Sequence, residues 1–558
     1  MVFRGSFIVT ALCILLLPFI ASAAPDELIS LNGEWDFRYD PAEYGEDEGW
    51  HEPVETSWNS LQVPMSLNAG DNAWYNGHGW YRRSFEVPAN WDGERIFLQF
   101  DGVNIRSKVW VNGELAGTHN FPYLPFELEI TTEAKPGETN WLVVRADNNI
   151  LERAIPDKQW DGWWNYGGII RNVHLVRRPN FYTADAVVET RLNDNGNWLL
   201  DVLLNTHNFG KVRKGMFRVV LEDMRGNELW SAVSNRELSV GHTQYQFGAT
   251  LDMIEPWCPE SPTLYNLRIV TSSPEFNEQH EKTIRVGFRQ IETEGTQILL
   301  NKEPLLIHGI SRHEMYPGVG MSLSEDRLEK DLQDLKELGC NMIRTAHYAQ
   351  DPRLYDLADE MGFLIWTEIP AWKTDTEVLT DPMVWQKYGK PQLQSLVHNF
   401  RSHPSVVLWS VGNEFNSDSD LGAEYVQRST QFVRSLDPTR LVSFASDEHR
   451  PGQTDNSFEF VDVIAVNEYY GWYYFTMNDV GDMLDRLHTD WPDKPILVAE
   501  FGSGSVLEMR NQNPEDSGKD YSIDYQNKFI SRHLEQIYAP ERRDYVVGSL
   551  VWLYNDFP

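Results

Sequence analysis

The spacing of apolar residues along this chain changes character three times. Phe7 to Ile20 is almost wholly apolar, follows Arg4, and gives way to Ala21-Ser22-Ala23. A positive start, a short apolar run and small residues before a cleavage point predict a secretory signal over 1–23. From 26 to 180 short alternating runs take over: Arg95 to Phe100, Lys108 to Val111 with Asn112-Gly113 as a hairpin turn, and Trp141 to Arg145 after a Pro-Gly turn. This spacing, without helical periodicity, predicts a jelly-roll β-sandwich. The block 181–290 alternates again in Trp198 to Leu204, Phe217 to Glu222 and Tyr265 to Val270. It predicts an immunoglobulin-like sandwich that lacks the Cys…Trp…Cys spacing of antibody domains.

Near residue 300 the pattern becomes strand–helix alternation over 291–558. Apolar strands are expected at Leu305–His308, Asn341–Arg344, Phe363–Trp366, Val406–Ser410, Leu441–Ala445, Val463–Val466, Ile496–Ala499 and Val546–Leu553. Amphipathic stretches such as Ser324–Leu338 and Pro352–Met361 separate them. Near-continuous apolar strands with helices between them predict a (β/α)8 TIM barrel. The eighth strand lies directly before Pro558, which leaves no residues for an eighth helix and predicts a barrel truncated after strand 8.

Bulk properties narrow the class. A chain of 558 residues exceeds one core, in keeping with several domains. Beyond the leader no apolar run approaches about 20 residues, so a soluble exported protein, secreted or periplasmic, is expected, with no membrane partner. A formal charge of −35, dispersed along the chain, argues against nucleic acid and for a well-solvated, salt-tolerant surface. After the leader only Cys258 and Cys340 remain, so neither a disulfide framework nor a metal–thiolate site is expected. Cys340, in the run Gly339 to Ile343, reads as a small hydrophobe in a buried strand.

In such a barrel the reactive groups sit where strands end, at the carboxyl face. Those ends carry His313, Arg344 and His347, Glu368, Asn413-Glu414, Asn467 to Tyr470, Glu500, and Trp552 to Asp556. Two carboxylates stand out, Glu414 and Glu500, each following an apolar strand, on the opposed fourth and seventh strands. Glycoside cleavage needs such a pair: one carboxyl protonates the leaving oxygen while the other attacks the anomeric carbon or activates water. A gap of about 5–5.5 Å gives retention and one of about 6.5–9.5 Å gives inversion. Environment decides which carboxyl stays protonated, and the sequence alone leaves that open.

The run Asn165 to Val173, the strand ends Gly309 to Glu314 and Arg344 to Tyr348, the segment Trp409 to Glu414 and the segment Ala499 to Gly502 together resemble glycoside hydrolase family 2 over nearly all of the mature chain. The resemblance implies a sugar-binding-like first sandwich and a retaining, exo-acting glycosidase, with Glu414 as acid/base and Glu500 as nucleophile. It also implies that Asn413 bonds the sugar 2-hydroxyl, that Tyr469 positions Glu500, and that His313, His347 and Trp552 line the sugar subsite, with Arg344 counted among the substrate-binding group. Asp161 would reach in from the sandwich, although Gly162 separates it from Trp163-Trp164 where the family's aspartate directly precedes two aromatics. Of the 21 tryptophans, Trp164, Trp472 and Trp552 are the first candidates for sugar contact.

Within the family, Asn467 to Tyr473 most resembles the β-glucuronidases, which implies a terminal β-linked uronic acid with Tyr473 near its carboxylate. Those enzymes carry an Asn-x-Lys pair after strand eight, past the point where this sequence stops. A β-galactosidase is the alternative within the same mechanism. A non-catalytic carbohydrate-binding protein is the alternative outside it, and the presence of both glutamates weighs against that. Transglycosylation would use the same intermediate. No cofactor motif is present and no ligand set for a metal stands out. Members of the family often form dimers or tetramers, so the resemblance leaves homo-oligomer formation open.

Overall fold

The computed structural model describes residues 25–53, 57–158, 163–273, 275 and 278–556, so the leader over 1–23 lies outside the described residues. The first domain is two antiparallel sheets, of four and six strands, face to face. The opening strand Glu27–Ser30 pairs with the closing strand Val173–Arg178, which ties the domain's ends together. Asn112 and Gly113 both have positive φ (53° and 88°), the mirror-type turn that matches strand twist in a two-residue hairpin. Trp35, Trp91, Leu98, Val109, Leu142 and Leu175 fill the space between the sheets.

The second domain packs a three-stranded sheet on a four-stranded one. Its strand Trp198–Asn208 alternates buried and half-buried positions without a break. Trp198, Leu200, Val202 and Leu204 thereby meet Phe217, Val219, Leu267 and Ile269 across the sandwich. This is the period-2 pattern visible in the sequence.

The third domain is a closed barrel of parallel strands. They are β1 (Ile307–Arg312), β2 (Met342–Thr345), β3 (Leu364–Glu368), β4 (Val406–Asn413), β5 (Leu441–Ser446), β6 (Ile464–Asn467), β7 (Ile496–Phe501) and β8 (Val546–Val551). β1 pairs with β8, Ile307 opposite Gly548, and closes the ring. Helix boundaries follow the local chemistry. The helix Glu325–Glu337 starts at Ser324, whose side chain accepts from the Arg327 N–H. The helix Pro352–Met361 has Asp351 as its cap, Pro352 in its first turn, and left-handed Gly362 at its end. A Cβ on Gly362 would sit 2.4 Å from the Pro259 carbonyl, so the second domain docks here only against glycine.

Two sequence expectations change. β1 begins at Ile307 instead of Leu305, because Glu303–Pro304 pairs with Leu299-Leu300 in a small sheet and Leu306 is half-exposed. β1 instead carries the polar Ser311 and Arg312, and Arg312 is paired at 2.8 Å with Asp331, both fully buried. Cys340 lies outside β2 and is only half-buried. It occupies the turn that follows Gly339, whose φ of +81° ends the preceding helix.

The first domain is locked onto the barrel mouth by Arg171. Its guanidinium is fully buried and donates to Glu314 Oε2 at 2.6 Å, to the Tyr123 carbonyl at 2.6 Å and to the Ala349 carbonyl at 3.0 Å. Glu314 follows β1, so this contact sets the sandwich directly over the strand ends.

Candidate active site

The end of β4 is shaped by its neighbours. Gly412 has φ +150°, and a Cβ there would meet the Ala371 carbonyl at 2.7 Å. The next backbone groups are pinned in turn: Asn413 N–H donates to Ala371 O at 3.0 Å and Glu414 N–H to Ala445 O at 2.9 Å. Glu414 itself adopts φ +49°. A left-handed non-glycine residue costs about 1–3 kcal/mol. Those backbone bonds to the β3 loop and to β5 hold it there, which aims its side chain across the mouth.

On the opposite side, Glu500 is buried near the end of β7 and paired in register with Asn467 of β6. Its Oε1 accepts from Arg344 Nη1 at 2.6 Å and its Oε2 from the Tyr469 hydroxyl at 2.9 Å. Arg344 also donates to Asn413 Oδ1 at 2.6 Å and to Glu368 at 3.1 Å. Asn467 Nδ2 spans Asn413 Oδ1 at 3.0 Å and Glu414 Oε1 at 2.9 Å. Lys373 Nζ lies 3.5 Å from Glu414 Oε2. One connected network therefore joins both carboxylates.

The two carboxylates differ in surroundings. Burial pushes the Glu500 carboxyl up to about 8, Arg344 pulls the other way, Glu414 adds repulsion, and the Tyr469 and Arg344 hydrogen bonds favour the anion. Burial and the neighbouring glutamates raise the Tyr469 phenol well above its ordinary value, so its hydroxyl keeps its proton and donates. Glu368 is fully enclosed, but Arg344, His347 and Ser410 outweigh burial and hold it below the ordinary carboxylate range. Burial lowers both His313 and His347, leaving neutral imidazoles. His347 Nδ1 lies 2.9 Å from Glu368 Oε1, which makes it the protonated nitrogen and turns Nε2 toward Glu500, 3.8 Å away.

Aromatic rings wall this network. Trp552 stacks on His347 (centroids 5.2 Å, 20°) and meets His313 edge-on at 5.3 Å. Tyr473 is exposed against Tyr469 at 5.4 Å, and Trp472 is buried against Tyr521 at 5.2 Å. Thus Glu414, Glu500, Asn413, Tyr469, His313, His347 and Trp552 converge, with Tyr473 and Trp472 alongside.

Other sequence candidates are placed differently. Arg344 is 0% exposed and gives both terminal nitrogens to protein acceptors, so it orients carboxylates instead of reaching substrate. Trp164 sends its N–H to the Ala73 carbonyl at 2.8 Å and its ring to Trp74. Its neighbour Trp163 instead faces His313, His347 and Trp372, with centroids 5.6–5.8 Å apart. Asp161 lies outside the described residues. Glu368 and Asn467 stand among the strand ends but carry no expected role from the sequence. Trp163, Trp372 and Lys373 stand on loops where no periodicity marks them.

Comparison with known proteins adds the family. Three models match in succession: "Glycosyl hydrolases family 2, sugar binding domain" over 28–179, "Glycosyl hydrolases family 2" over 181–289, and "Glycosyl hydrolases family 2, TIM barrel domain" over 291–558. The chain belongs to glycosyl hydrolase family 2. It is a glycoside hydrolase. A β-glucuronidase of Paenibacillus borealis is 27% identical over 575 residues, covering 95% of this chain and 91% of that protein. A β-glucuronidase of Bacteroides fragilis is 29% identical, covering 97% of this chain and 78% of that protein. A β-galacturonidase from Eisenbergiella tayi, solved with galacturonate bound, superposes with a TM-score of 0.82 at 28% identity, covering 96% and 91% of the two chains.

Proposed function

We propose that this family 2 enzyme is a retaining exo-β-uronidase that acts on terminal β-glucuronides, with Glu500 as nucleophile and Glu414 as acid/base. The observation that carries the division of labour is the unequal set of partners. Glu500 receives the charged Arg344 at 2.6 Å and the Tyr469 hydroxyl at 2.9 Å, both of which favour a carboxylate. Glu414 receives the neutral amide of Asn467 at 2.9 Å and stands further from its cation, Lys373, at 3.5 Å.

In the first step Glu414 gives its proton to the glycosidic oxygen as the C1–O bond breaks, and Glu500 bonds to C1. In the second, Glu414 takes a proton from water, the water oxygen bonds to C1, and the ester to Glu500 breaks. Asn413 supplies a further contact. Its Oδ1 is occupied by Arg344 and Asn467, while its buried Nδ2 has no partner among the described residues. That amide N–H is the donor available to the sugar 2-hydroxyl.

The uronide reading rests on the Asn467 to Tyr473 segment and on the relatives, whose names refer to glucuronides and a galacturonide. The apolar leader supports export of the enzyme. The test is hydrolysis of p-nitrophenyl β-glucuronide, β-galacturonide and β-galactoside side by side. Preference for the glucuronide is expected, and preference for the galactoside would overturn the uronide reading while leaving the mechanism in place.

A further inference from the structure

Asn467 bonds Glu414 and Tyr469 bonds Glu500, while Glu468, the residue between them, faces away from the barrel mouth. Alternation along an extended segment sends its side chain to the opposite side, toward the helix Ile523–Ile537. There Glu468 Oε1 lies 3.2 Å from His533 Nε2, and both side chains are fully buried. Its other oxygen, Oε2, accepts from the Tyr470 N–H at 3.0 Å. His533 Nδ1 lies 2.7 Å from the Phe529 carbonyl, which can only accept, so Nδ1 carries hydrogen and Nε2 is presented to Glu468.

The same pair reaches the nucleophile's strand. The His533 imidazole lies parallel to Phe529 (centroids 3.8 Å, 21°) and to Phe501 (5.6 Å, 12°), the residue that follows Glu500. Glu468 N–H donates to the Glu500 carbonyl at 2.8 Å. The ends of β6 and β7 are thus joined through Glu468 by main chain on one side and by His533 on the other.

Tyr469 sits within this frame. Ahead of it, His449 Nε2, on the loop after β5, donates to the Asn467 carbonyl at 2.8 Å. Behind it, the Glu468 carboxylate holds the Tyr470 N–H, and the Tyr469 carbonyl accepts from Trp472 N at 2.9 Å and Tyr473 N at 3.1 Å. A buried ion pair adds little stability over apolar side chains of the same volume. Its contribution here is direction. The Tyr469 hydroxyl must meet Glu500 Oε2 at 2.9 Å, and a displacement of about 1 Å at such a contact costs about 100-fold in rate.

We propose that Glu468 is a positioning residue for the glycosidase reaction: paired with His533, it sets the turn that carries Tyr469 and keeps that hydroxyl on the nucleophile. This rests on Glu500 as nucleophile and adds the group that stands behind its tyrosine partner.

The test uses the full chain and whichever of p-nitrophenyl β-glucuronide, β-galacturonide and β-galactoside the wild type turns over best. Glu468→Leu lowers kcat by about 10- to 100-fold and leaves KM within about threefold of wild type. Glu468→Gln keeps an acceptor for the Tyr470 N–H and a donor for His533, and recovers most of kcat. His533→Phe keeps a ring beside Phe501 and Phe529, breaks the pair from the helix side, and reproduces the loss in kcat. The deciding readout is a double-mutant cycle with Tyr469→Phe. Once the hydroxyl is gone, Glu468→Leu costs less than about threefold more, because nothing is left for it to position. If Glu468→Leu does not fold, His533→Phe carries the same cycle. An equal loss with and without the Tyr469 hydroxyl, or a folded variant within about twofold of the wild-type kcat, overturns the proposal. Wild-type turnover by Glu500→Gln would instead overturn the parent reading.

Discussion

Arg344 reaches Glu500 Oε1 with one terminal nitrogen and Asn413 Oδ1 with the other, each at 2.6 Å. Asn413 immediately precedes Glu414, so a single fully buried guanidinium fixes the spacing of the β4 and β7 ends. A lysine has one nitrogen and cannot make both bonds with the geometry of a planar fork. Arg344→Lys is therefore expected to lower kcat/KM by at least about 100-fold, by letting the two carboxylates drift apart. Steady-state kinetics on an aryl uronide, with thermal melting as a folding control, check this. A folded variant within about tenfold of wild type would contradict it.

Attack on C1 requires the Glu500 carboxylate. Burial, aided by repulsion from Glu414, holds the Glu500 carboxyl up to about 8. The single-turnover rate on activated aryl uronides, which depart with little protonation, is therefore expected to rise as pH passes through about 8. In Glu414→Gln the repulsion is gone and Glu500 ionises at lower pH, so this rise moves to lower pH, while substrates with poor leaving groups suffer most. A rise that stays in place in the variant, or equal losses across leaving groups, would count against the assignment.

Arg171 and Glu314 are both fully buried, 2.6 Å apart, and join the first sandwich to the barrel mouth. Removing one partner of a buried pair leaves an unpaired charge and costs about 3–5 kcal/mol. Arg171→Met should destabilise the molecule by about that amount. In denaturant it should also separate unfolding of the sandwich from that of the barrel. Arg171→Met with Glu314→Gln should recover part of the loss. A single mutant as stable as wild type would show that this contact does not hold the domains together.

Much of the fold can be read along the chain because the strands obey simple periods. Trp198 to Asn208 alternates perfectly, and β4, β5 and β7 are apolar runs buried on both faces. Reading fails where a polar strand is satisfied from afar. Arg312 looks like a loop residue until Asp331, 19 positions later, is seen to neutralise it. Arg344 fails in the same way: a strand-end arginine reads as a substrate ligand, but its partners lie on β3, β4 and β7. The glutamates are legible because Gly412-Asn413-Glu414 and Ala499-Glu500 end apolar strands. Which of two adjacent indoles faces the site is not, since the loop carrying Trp163 and Trp164 has no period to orient it.

In the proposed mechanism Glu500 forms a covalent bond to the sugar. The most direct measurement is incubation with a 2-deoxy-2-fluoro-β-glucuronyl fluoride, followed by proteolysis and mass spectrometry of the labelled peptide. Time-dependent inactivation is expected, with one fluorosugar attached to the peptide that carries Glu500. A label on Glu414, or inactivation without any covalent adduct, would contradict it.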